Sequence, residues 1–315
     1  MKIVLPGGTG QLGTLLTRFF QARGDEVVVL SRGGRSLARL VPWDARTGGA
    51  WVNELDGADA VINLAGRSVN CRYTEENLAA MRSSRVDSTR VIGAAIERAA
   101  RPPRVWLQMS TATIYSHRFE AANDEETGLI GGGEPGAPAQ WRRSVELAQA
   151  WEAAQAEART PGTRKVLLRT ALVLSEDRGG VFDVLSGLVK KGLGGPIAGG
   201  AQYVSWLHRR DLERALALLL ERSDLEGPVN LASPNPLPQR EFMAGLRAAL
   251  GVRFGLPATG WMAALGAWMM GTAPELVLKS RRVAPARLLR AGFTFDYPTL
   301  PAAAQDLVKR AQHRW

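Results

Sequence analysis

The sequence predicts an α/β fold in which helices cover both faces of a doubly wound parallel sheet. Short apolar runs rich in β-branched residues recur through the first 175 residues, and amphipathic helical patterns separate them. The first two runs and the helix between them all lie within residues 2–30. Strands that alternate with helices in this way are typical of a parallel sheet with right-handed crossovers.

The individual elements follow from the spacing of apolar residues. Residues 2–5 are a short apolar run, a helical pattern follows and ends at Gly24, and residues 26–30 form a second, uninterrupted run rich in β-branched residues. Uninterrupted runs of this length predict strands that are buried on both faces. The later predicted strands are residues 59–64, 104–109 and 165–174, and the later predicted helices are residues 75–100 and 140–158.

The chain changes character after about residue 175. A glycine-rich segment, residues 192–200, is predicted to act as a hinge, and residues 232–238 form a turn-rich linker before a helical tail. We therefore predict a nucleotide-binding domain of residues 1–175, to which residues 201–231 return. Residues 176–200 and 232–315 are predicted to form a small, mainly helical lid, with the Trp and Met residues of 261–270 in its core.

Composition narrows the class of protein. The 315 residues include 40 Lys and Arg against 30 Asp and Glu, a formal net charge of +10. The basic residues are scattered, which argues against a nucleic-acid partner and favours a cleft for a phosphorylated small molecule. Cys71 is the only cysteine and the three histidines are far apart, so neither an internal disulfide nor a metal site is expected.

The N-terminus lacks a secretory apolar segment, and residues 261–271, the longest apolar stretch, are about half the length of a bilayer span. We expect a cytoplasmic protein without membrane association. The sequence does not decide whether the protein is a monomer or a homodimer.

A glycine motif follows the first predicted strand. Gly7, Gly10 and Gly13 have the spacing of a dinucleotide-binding loop, and the helix that opens at Gln11 and Leu12 directs free N–H groups toward the phosphates. The second strand ends in Ser31-Arg32, where an NAD site usually carries an acidic residue. A guanidinium at that position pairs with a phosphate, so the sequence predicts NADP(H) rather than NAD(H).

Several segments together resemble one enzyme superfamily. They are GGTGQLG (7–13), NLAG (63–66), STATIY (110–115), VSWLHRRDL (204–212) and AGFTFDYPTL (291–300). The chain resembles the extended short-chain dehydrogenases/reductases with a Rossmann-type fold. More closely, it is similar to the atypical NAD-dependent epimerase/dehydratase group that carries a short C-terminal domain of unknown function.

The resemblance implies roles for individual residues. Ser31 and Arg32 would hold the 2′-phosphate, and Thr111 would occupy the position of the catalytic Ser or Thr. Trp206 and His208 would face the substrate cleft. The other implied cofactor contacts are Gly7, Gly10 and Gly13 at the pyrophosphate, Asp44 near the adenine, Leu64, Ala65 and Gly66 along the ribose and nicotinamide, and Arg85 and Ser110.

The chain departs from the superfamily at its Tyr-x-x-x-Lys pair, in which the lysine lowers the pKa of the tyrosine that exchanges a proton with substrate. None of the four tyrosines has a lysine four residues later. Registering the helix on Glu152 places Ser144 and Ala148 at the positions of the pair.

Tyr115 and His208 are candidate replacements for the proton donor, and Thr111 is expected to orient a substrate carbonyl. Arg85 and Arg169 are each either an anchor for an anionic substrate group or a structural ion-pair partner. The expected function is an NADP(H)-dependent oxidoreductase or nucleotide-sugar-type epimerase/dehydratase that acts on a small molecule. The alternative is a catalytically silent NADP(H)-binding sensor.

Overall fold

The computed structural model describes residues 1–138 and 140–312. Its main sheet has seven parallel strands in the order β10-β6-β5-β4-β1-β2-β3, which confirms the predicted doubly wound sheet. The strands are β1 Lys2–Pro6, β2 Glu26–Ser31, β3 Arg39–Pro42, β4 Ala60–Asn63, β5 Val105–Thr111, β6 Arg164–Thr170, β7 Leu172–Leu174, β8 Tyr203–Val204, β9 Trp206–His208, β10 Gly227–Leu231 and β11 Leu237–Pro238.

Helices cover both faces of this sheet. The helices are α1 Gln11–Ala22, α2 Glu75–Arg98, α3 Trp141–Ala156, α4 Val181–Lys190, α5 Arg209–Glu221, α6 Gln239–Ala249, α7 Gly260–Met269, α8 Glu275–Leu278, α9 Ala286–Arg290 and α10 Leu300–Gln312. Apolar side chains of α1 and α5 pack on one face of the sheet, and those of α2 pack on the other, with α3 beside α2. None of the helices described is long and apolar enough to cross a membrane.

The strand order places a crevice between β1 and β4. The chain runs outward from β1 to β3, returns to β4 and then continues to the opposite edge. Ligands of doubly wound sheets bind beyond the carboxyl ends of the strands at such a reversal. The loops after β1, β2, β4 and β5 therefore frame the candidate site.

The predicted strand over residues 165–174 is two strands in the structure. β6 ends at Thr170 and stays in the main sheet, whereas β7 pairs in parallel with β9 outside that sheet. After β9, α5 leads back to the main sheet, where β10 pairs with β6 as the edge strand. The return of the chain is set by these pairings, which the apolar pattern alone does not specify.

A separate core joins the C-terminal helices to β7 and β9. Phe242 and Leu246 of α6 and Leu300 and Leu307 of α10 are buried against Trp206. Trp206 is fully buried and donates a hydrogen bond from Nε1 to the Asn235 carbonyl at 3.2 Å. The expectation that Trp206 faces a substrate cleft is therefore wrong, because its ring fills this core.

Helix α7 does not form the core of a lid, contrary to the sequence-based expectation. Among the described residues of α7, Ala267 is buried, whereas the large apolar side chains are exposed. Trp261 is 69% exposed, Trp268 59% and Met269 72%. The helix is apolar on all sides, so its pattern could not indicate which of its side chains would be covered.

The glycine-rich segment 192–200 lies against residues 256–258. Leu256 donates a backbone hydrogen bond to the Gly192 carbonyl at 2.8 Å, and Ala258 donates to Pro196 at 2.9 Å. A Cβ at Gly195 would overlap the Leu256 carbonyl. Glycine is thus needed here for close backbone packing, and the predicted hinge role stays a prediction.

Candidate cofactor cleft and active site

The loop between β1 and α1 can exist only with glycine at two of its motif positions. Gly7 has φ +76°, and a Cβ on it would lie 2.7 Å from the backbone of Ala65. A Cβ on Gly13 would overlap the backbone of Gly8. Gly10 is different, because its φ is −75° and a Cβ on it would lie 3.7 Å from the Gly7 carbonyl. Gly10 is therefore free for close approach by a ligand.

The N-terminus of α1 is built to accept an anion. Its N-cap is Gly10, and within the described residues no side chain caps it. The first N–H groups of a helix have no intrahelical partners, and the helix dipole adds positive potential there. Gln11 is exposed beside this end, and Leu12 is partly buried against the core. The arrangement fits a pyrophosphate.

The turn after β2 lies beside the glycine loop. The Ser31 hydroxyl is 2.9 Å from the Thr9 hydroxyl and donates to the Gly33 carbonyl at 2.6 Å. Ser31 thus holds the turn against the loop. Arg32 and Arg35 are exposed on this turn, and within residues 1–138 and 140–312 neither forms a salt bridge.

Asp44 lies beyond the end of β3, which ends at Pro42. Its carboxylate accepts hydrogen bonds from the backbone N–H groups of Arg46 and Thr47, both at 2.9 Å, and from the Thr47 hydroxyl at 2.6 Å. The Thr47 hydroxyl and these N–H groups lower the pKa of Asp44 to about 2. Asp44 is therefore already engaged in its own turn, and its contact with an adenine stays a prediction.

The segment after β4 crosses the β1 loop. Leu64 donates a backbone hydrogen bond to the Pro6 carbonyl at 2.9 Å, and Ala65 donates to Asn63 Oδ1 at 3.0 Å. A Cβ on Gly66 would lie 3.2 Å from the guanidinium carbon of Arg85. These contacts bring Leu64, Ala65 and Gly66 to the crevice.

Arg85 is a buried cation without a carboxylate partner among the described residues. It donates to the Met81 carbonyl at 3.1 Å, and its guanidinium stacks over the Trp151 ring with 4.9 Å to the centroid. Burial lowers its pKa to about 10, so it is charged at neutral pH. A buried guanidinium beside a crevice favours an anionic group as its partner.

Thr111 and Ser110 differ in what they can reach. Thr111 is partly exposed at the carboxyl end of β5, and its hydroxyl accepts a hydrogen bond from Thr113 N at 3.2 Å. No acceptor for its hydroxyl proton is found in the part of the chain that the structure describes, so this proton can be donated to a ligand. Ser110 is buried and donates to Glu152 Oε1 at 2.6 Å, so its side chain points into the core of the fold. The predicted cofactor contact of Ser110 is not one the geometry favours.

Tyr115 belongs to a buried structural network. Its hydroxyl donates to Asn230 Oδ1 at 2.9 Å and accepts from Arg169 at 3.0 Å, and the residue is 1% exposed. Arg169 also pairs with both oxygens of Glu152 at 2.9 and 2.8 Å. The structure thus makes Arg169 an ion-pair partner and leaves the Tyr115 hydroxyl no access to a substrate.

His208 caps a helix instead of facing the crevice. Its Nδ1 accepts from Arg210 N at 3.2 Å, its Nε2 lies 3.2 Å from Asp306, and its ring packs on Tyr297. The side chain is fully buried, and burial lowers its pKa to about 4. The expectation of a catalytic His208 that titrates near neutral pH is therefore wrong.

Comparison with protein families agrees with this geometry. Residues 3–232 match the model of the NAD dependent epimerase/dehydratase family, and residues 258–307 match a domain of unknown function, DUF1731. The chain belongs to the NAD-dependent epimerase/dehydratase family. Among its curated relatives, the epimerase family protein SDR39U1 of Bos taurus is 32% identical over 98% of this chain and 100% of its own length.

Other members of the epimerase/dehydratase family are similar along the whole chain. The epimerase family protein YfhF of Bacillus subtilis is 28% identical over 98% of both chains. The crystal structure of human SDR39U1 with NADPH matches with a TM-score of 0.85 at 29% identity, covering 98% of this chain and 99% of that one. UDP-N-acetylglucosamine 4-epimerase of Bacillus cereus, at 16% identity and a TM-score of 0.74, shares the fold.

Ser144 of α3 occupies the position that the sequence register on Glu152 assigns to the tyrosine of the Tyr-x-x-x-Lys pair. The Ser144 hydroxyl donates to Glu275 Oε2 at 2.6 Å, and Ser144 partly offsets the rise that burial causes in the pKa of Tyr73. Glu275 is 3% exposed, and Lys279 Nζ lies 3.9 Å from its Oε1. Lys279 in turn donates to the Thr113 carbonyl at 2.9 Å.

This polar cluster of Tyr73, Ser144, Glu275 and Lys279 is what sequence reasoning missed. Burial raises the pKa of Glu275, lowers that of Lys279 to about 8 and raises that of Tyr73 to about 12. The register on Glu152 pointed to Ser144, but no sequence signal pointed to the other three. Glu275 and Lys279 come from the C-terminal domain of unknown function.

Proposed function

We propose that the protein is an NADP(H)-dependent enzyme that oxidises or reduces a small anionic substrate. The observation that supports this most is the succession of groups along one crevice. They are the open N-terminus of α1 after β1, the two exposed arginines after β2, which have no ion pairs in the described chain, and the buried guanidinium of Arg85 on α2, after β4. Each suits a negatively charged group.

The cofactor preference rests on the end of β2. A carboxylate for the ribose 2′-hydroxyl is absent at Ser31-Arg32, and Arg32 with Arg35 can hold a 2′-phosphate. The crystal structure of human SDR39U1 with NADPH supports the same choice. Gly7, Gly10 and Gly13, with the N–H groups of Gln11 and Leu12, would hold the pyrophosphate.

The chain's own residues would bind and orient the substrate. NADP(H), when bound, supplies or accepts a hydride. Thr111 would donate a hydrogen bond to the substrate oxygen and stabilise the negative charge that develops on it. Arg85 would hold an anionic group of the substrate beside Gly66.

The test is consumption of NADPH and of NADH by the purified wild-type protein. Probe substrates would be phenanthrenequinone, an activated diketone, together with a panel of enals and UDP-hexoses. We expect NADPH oxidation with at least one carbonyl probe and weaker activity with NADH. NADPH binding with no turnover of any probe would refute the enzyme hypothesis and favour an NADP(H)-binding sensor. The missing Tyr-x-x-x-Lys pair is the observation that supports this second candidate.

A further inference from the structure

Helix α7 presents its large apolar side chains on one outward face. Trp261, Leu265 and Trp268 are spaced four and three residues apart, so they share one side of the helix. Ala267 lies on the inner side and is buried. The α7 face consists of five exposed residues: Trp261, Met262, Leu265, Trp268 and Met269. A contiguous exposed patch of large apolar side chains marks a site of interaction.

The α7 face is turned toward the segment between β4 and α2. The guanidinium of Arg72, which belongs to that segment, lies over the Trp268 ring with 4.9 Å to the centroid. Arg72 Nη2 also donates to the Trp268 carbonyl at 3.2 Å. Because the Trp268 ring is part of the α7 face, the stacking directs this face to the side on which the segment after β4 lies.

The segment after β4 connects the α7 face to the crevice. Asn77 Nδ2 donates to the Arg72 carbonyl at 2.8 Å, and Asn77 Oδ1 accepts from Arg67 Nη2 at 2.8 Å. Arg67 directly follows Gly66, which lies against the guanidinium of Arg85. A short series of contacts therefore leads from the α7 face to the buried guanidinium.

The chain that follows α7 is anchored at the end of β5. Glu275 Oε2 accepts from the Ser144 hydroxyl at 2.6 Å, and Lys279 Nζ donates to the Thr113 carbonyl at 2.9 Å. Thr113 N in turn donates to the Thr111 hydroxyl at 3.2 Å. Helix α7 is thus held from the segment after β4 on one side and from the end of β5 on the other, so it borders the candidate substrate site.

The charges along this route differ between its inner and outer ends. At the inner end, Arg85 has no carboxylate partner within residues 1–138 and 140–312. At the outer end, the sequence of α7 contains no charged residue. A ligand that complements both ends carries an anionic group and an apolar part. The hydroxyl-rich hexose of a nucleotide sugar lacks such an apolar part.

We propose that the substrate is an acid with a long apolar chain, and that the α7 face binds this chain. The assignment rests on the proposed function and names its substrate class. The acid group pairs with Arg85, and the reacting carbon lies beside Thr111. The chain runs outward over Trp268 toward Leu265 and Trp261. Its affinity comes from covering apolar surface that is otherwise in contact with water.

The experiment measures the binding of hexanoate, octanoate and decanoate to the full-length protein by calorimetry in the presence of NADP⁺. These acids have the anionic group and the chain but no reacting carbonyl, so the measurement does not depend on turnover. The variants are Leu265→Ala and Trp261→Ala. Leu289→Ala is the matched control, because Leu289 is 47% exposed against 49% for Leu265 and lies on α9, which packs beside β10.

Each added methylene should tighten binding to the wild type about two- to fourfold, since a fully buried methylene contributes a factor of about four. Leu265→Ala should weaken decanoate binding about three- to fivefold and Trp261→Ala about tenfold, with smaller effects on hexanoate, whose chain is shorter. Leu289→Ala should bind all three acids like the wild type. Decanol should bind more weakly than decanoate, because it lacks the charge that pairs with Arg85.

Equal affinity for the three acids, or an unchanged dependence on chain length in both α7 variants, would overturn the assignment. A dimer in light scattering that Trp261→Ala dissociates would show that a second copy covers the α7 face. Sedimentation with phosphatidylglycerol vesicles that Trp261→Ala abolishes would assign the face to a membrane surface. Either result contradicts the proposal. If no carbonyl probe is reduced while the dependence on chain length holds, the proposed function fails and the ligand class stands.

Discussion

Replacing Gly10 by alanine should weaken NADPH binding and leave the fold stable, whereas replacing Gly13 by alanine should destabilise the fold. At Gly10 the added methyl group meets nothing closer than 3.7 Å, and φ is −75°, so the fold should lose less than about 1 kcal/mol from the poorer N-cap. The same methyl would occupy the place where a pyrophosphate approaches the backbone. Loss of one hydrogen bond to a charged phosphate costs about 1.5–3 kcal/mol, which weakens NADPH binding about 10- to 150-fold.

At Gly13 the added methyl overlaps the backbone of Gly8, which cannot move without disturbing the loop. Overpacking of this kind costs about 1–3 kcal/mol or more, so the melting temperature without cofactor should fall by several degrees. Differential scanning fluorimetry measures the melting temperature of Gly13→Ala, and calorimetric titration measures the NADPH affinity of Gly10→Ala. Gly10→Ala with wild-type affinity, or Gly13→Ala with an unchanged Tm, would refute this assignment of the two positions.

Three further outcomes are expected. Arg32→Asp should weaken NADPH binding about 10- to 150-fold and strengthen NADH binding, as measured by calorimetry, since a lost charged hydrogen bond costs about 1.5–3 kcal/mol; unchanged preference would place the 2′-phosphate elsewhere. His208 has a pKa lowered to about 4, so the unfolded chain binds its proton more readily, and wild-type stability should be lost as the pH falls from about 6.5 to about 4. His208→Asn, which keeps a capping side chain, should flatten that slope in acid-unfolding experiments without changing turnover, whereas an unchanged slope would contradict the burial argument. Trp261 and Trp268 are exposed, so their fluorescence should shift to shorter wavelength if α7 closes over substrate, and identical spectra with and without NADPH and probe would exclude closure.

The parts of the fold that depend on local spacing could be predicted from the sequence. Strands β1, β2, β4 and β5, the glycine loop and the start of α1 follow from short apolar runs and from residues within seven positions of each other, whereas β3 was not predicted. The end of β6 at Thr170 could not be predicted, because the change of sheet depends on pairing between β7 and β9, more than 30 residues apart.

The catalytic assignments failed where burial decides the chemistry. His208 titrates near neutral pH as a free side chain, but the fold buries it as a helix cap and its pKa falls. Tyr115 lies close to Thr111 in sequence, yet its hydroxyl is taken by Arg169 and Asn230. The positions of His208 and Tyr115 in the sequence do not indicate which groups their side chains contact in the fold.

The polar cluster could not be predicted, because its residues are far apart in the sequence. Ser144 and Glu275 are 131 positions apart, and their hydrogen bond forms only because the C-terminal segment folds back on α3. No motif spacing encodes such a contact. Likewise, the apolar residues of α7 indicated a helix, but only the packing of neighbouring elements determines whether that helix is covered.

The most direct test of the whole account is a crystal structure of the protein with NADP⁺. The account places the pyrophosphate on the N-terminus of α1 and the 2′-phosphate within hydrogen-bond distance of Arg32. The nicotinamide C4 should face the hydroxyl of Thr111, with space for one carbonyl group beside it. A 2′-phosphate directed into solvent, or a nicotinamide ring away from the Thr111 hydroxyl, would contradict it.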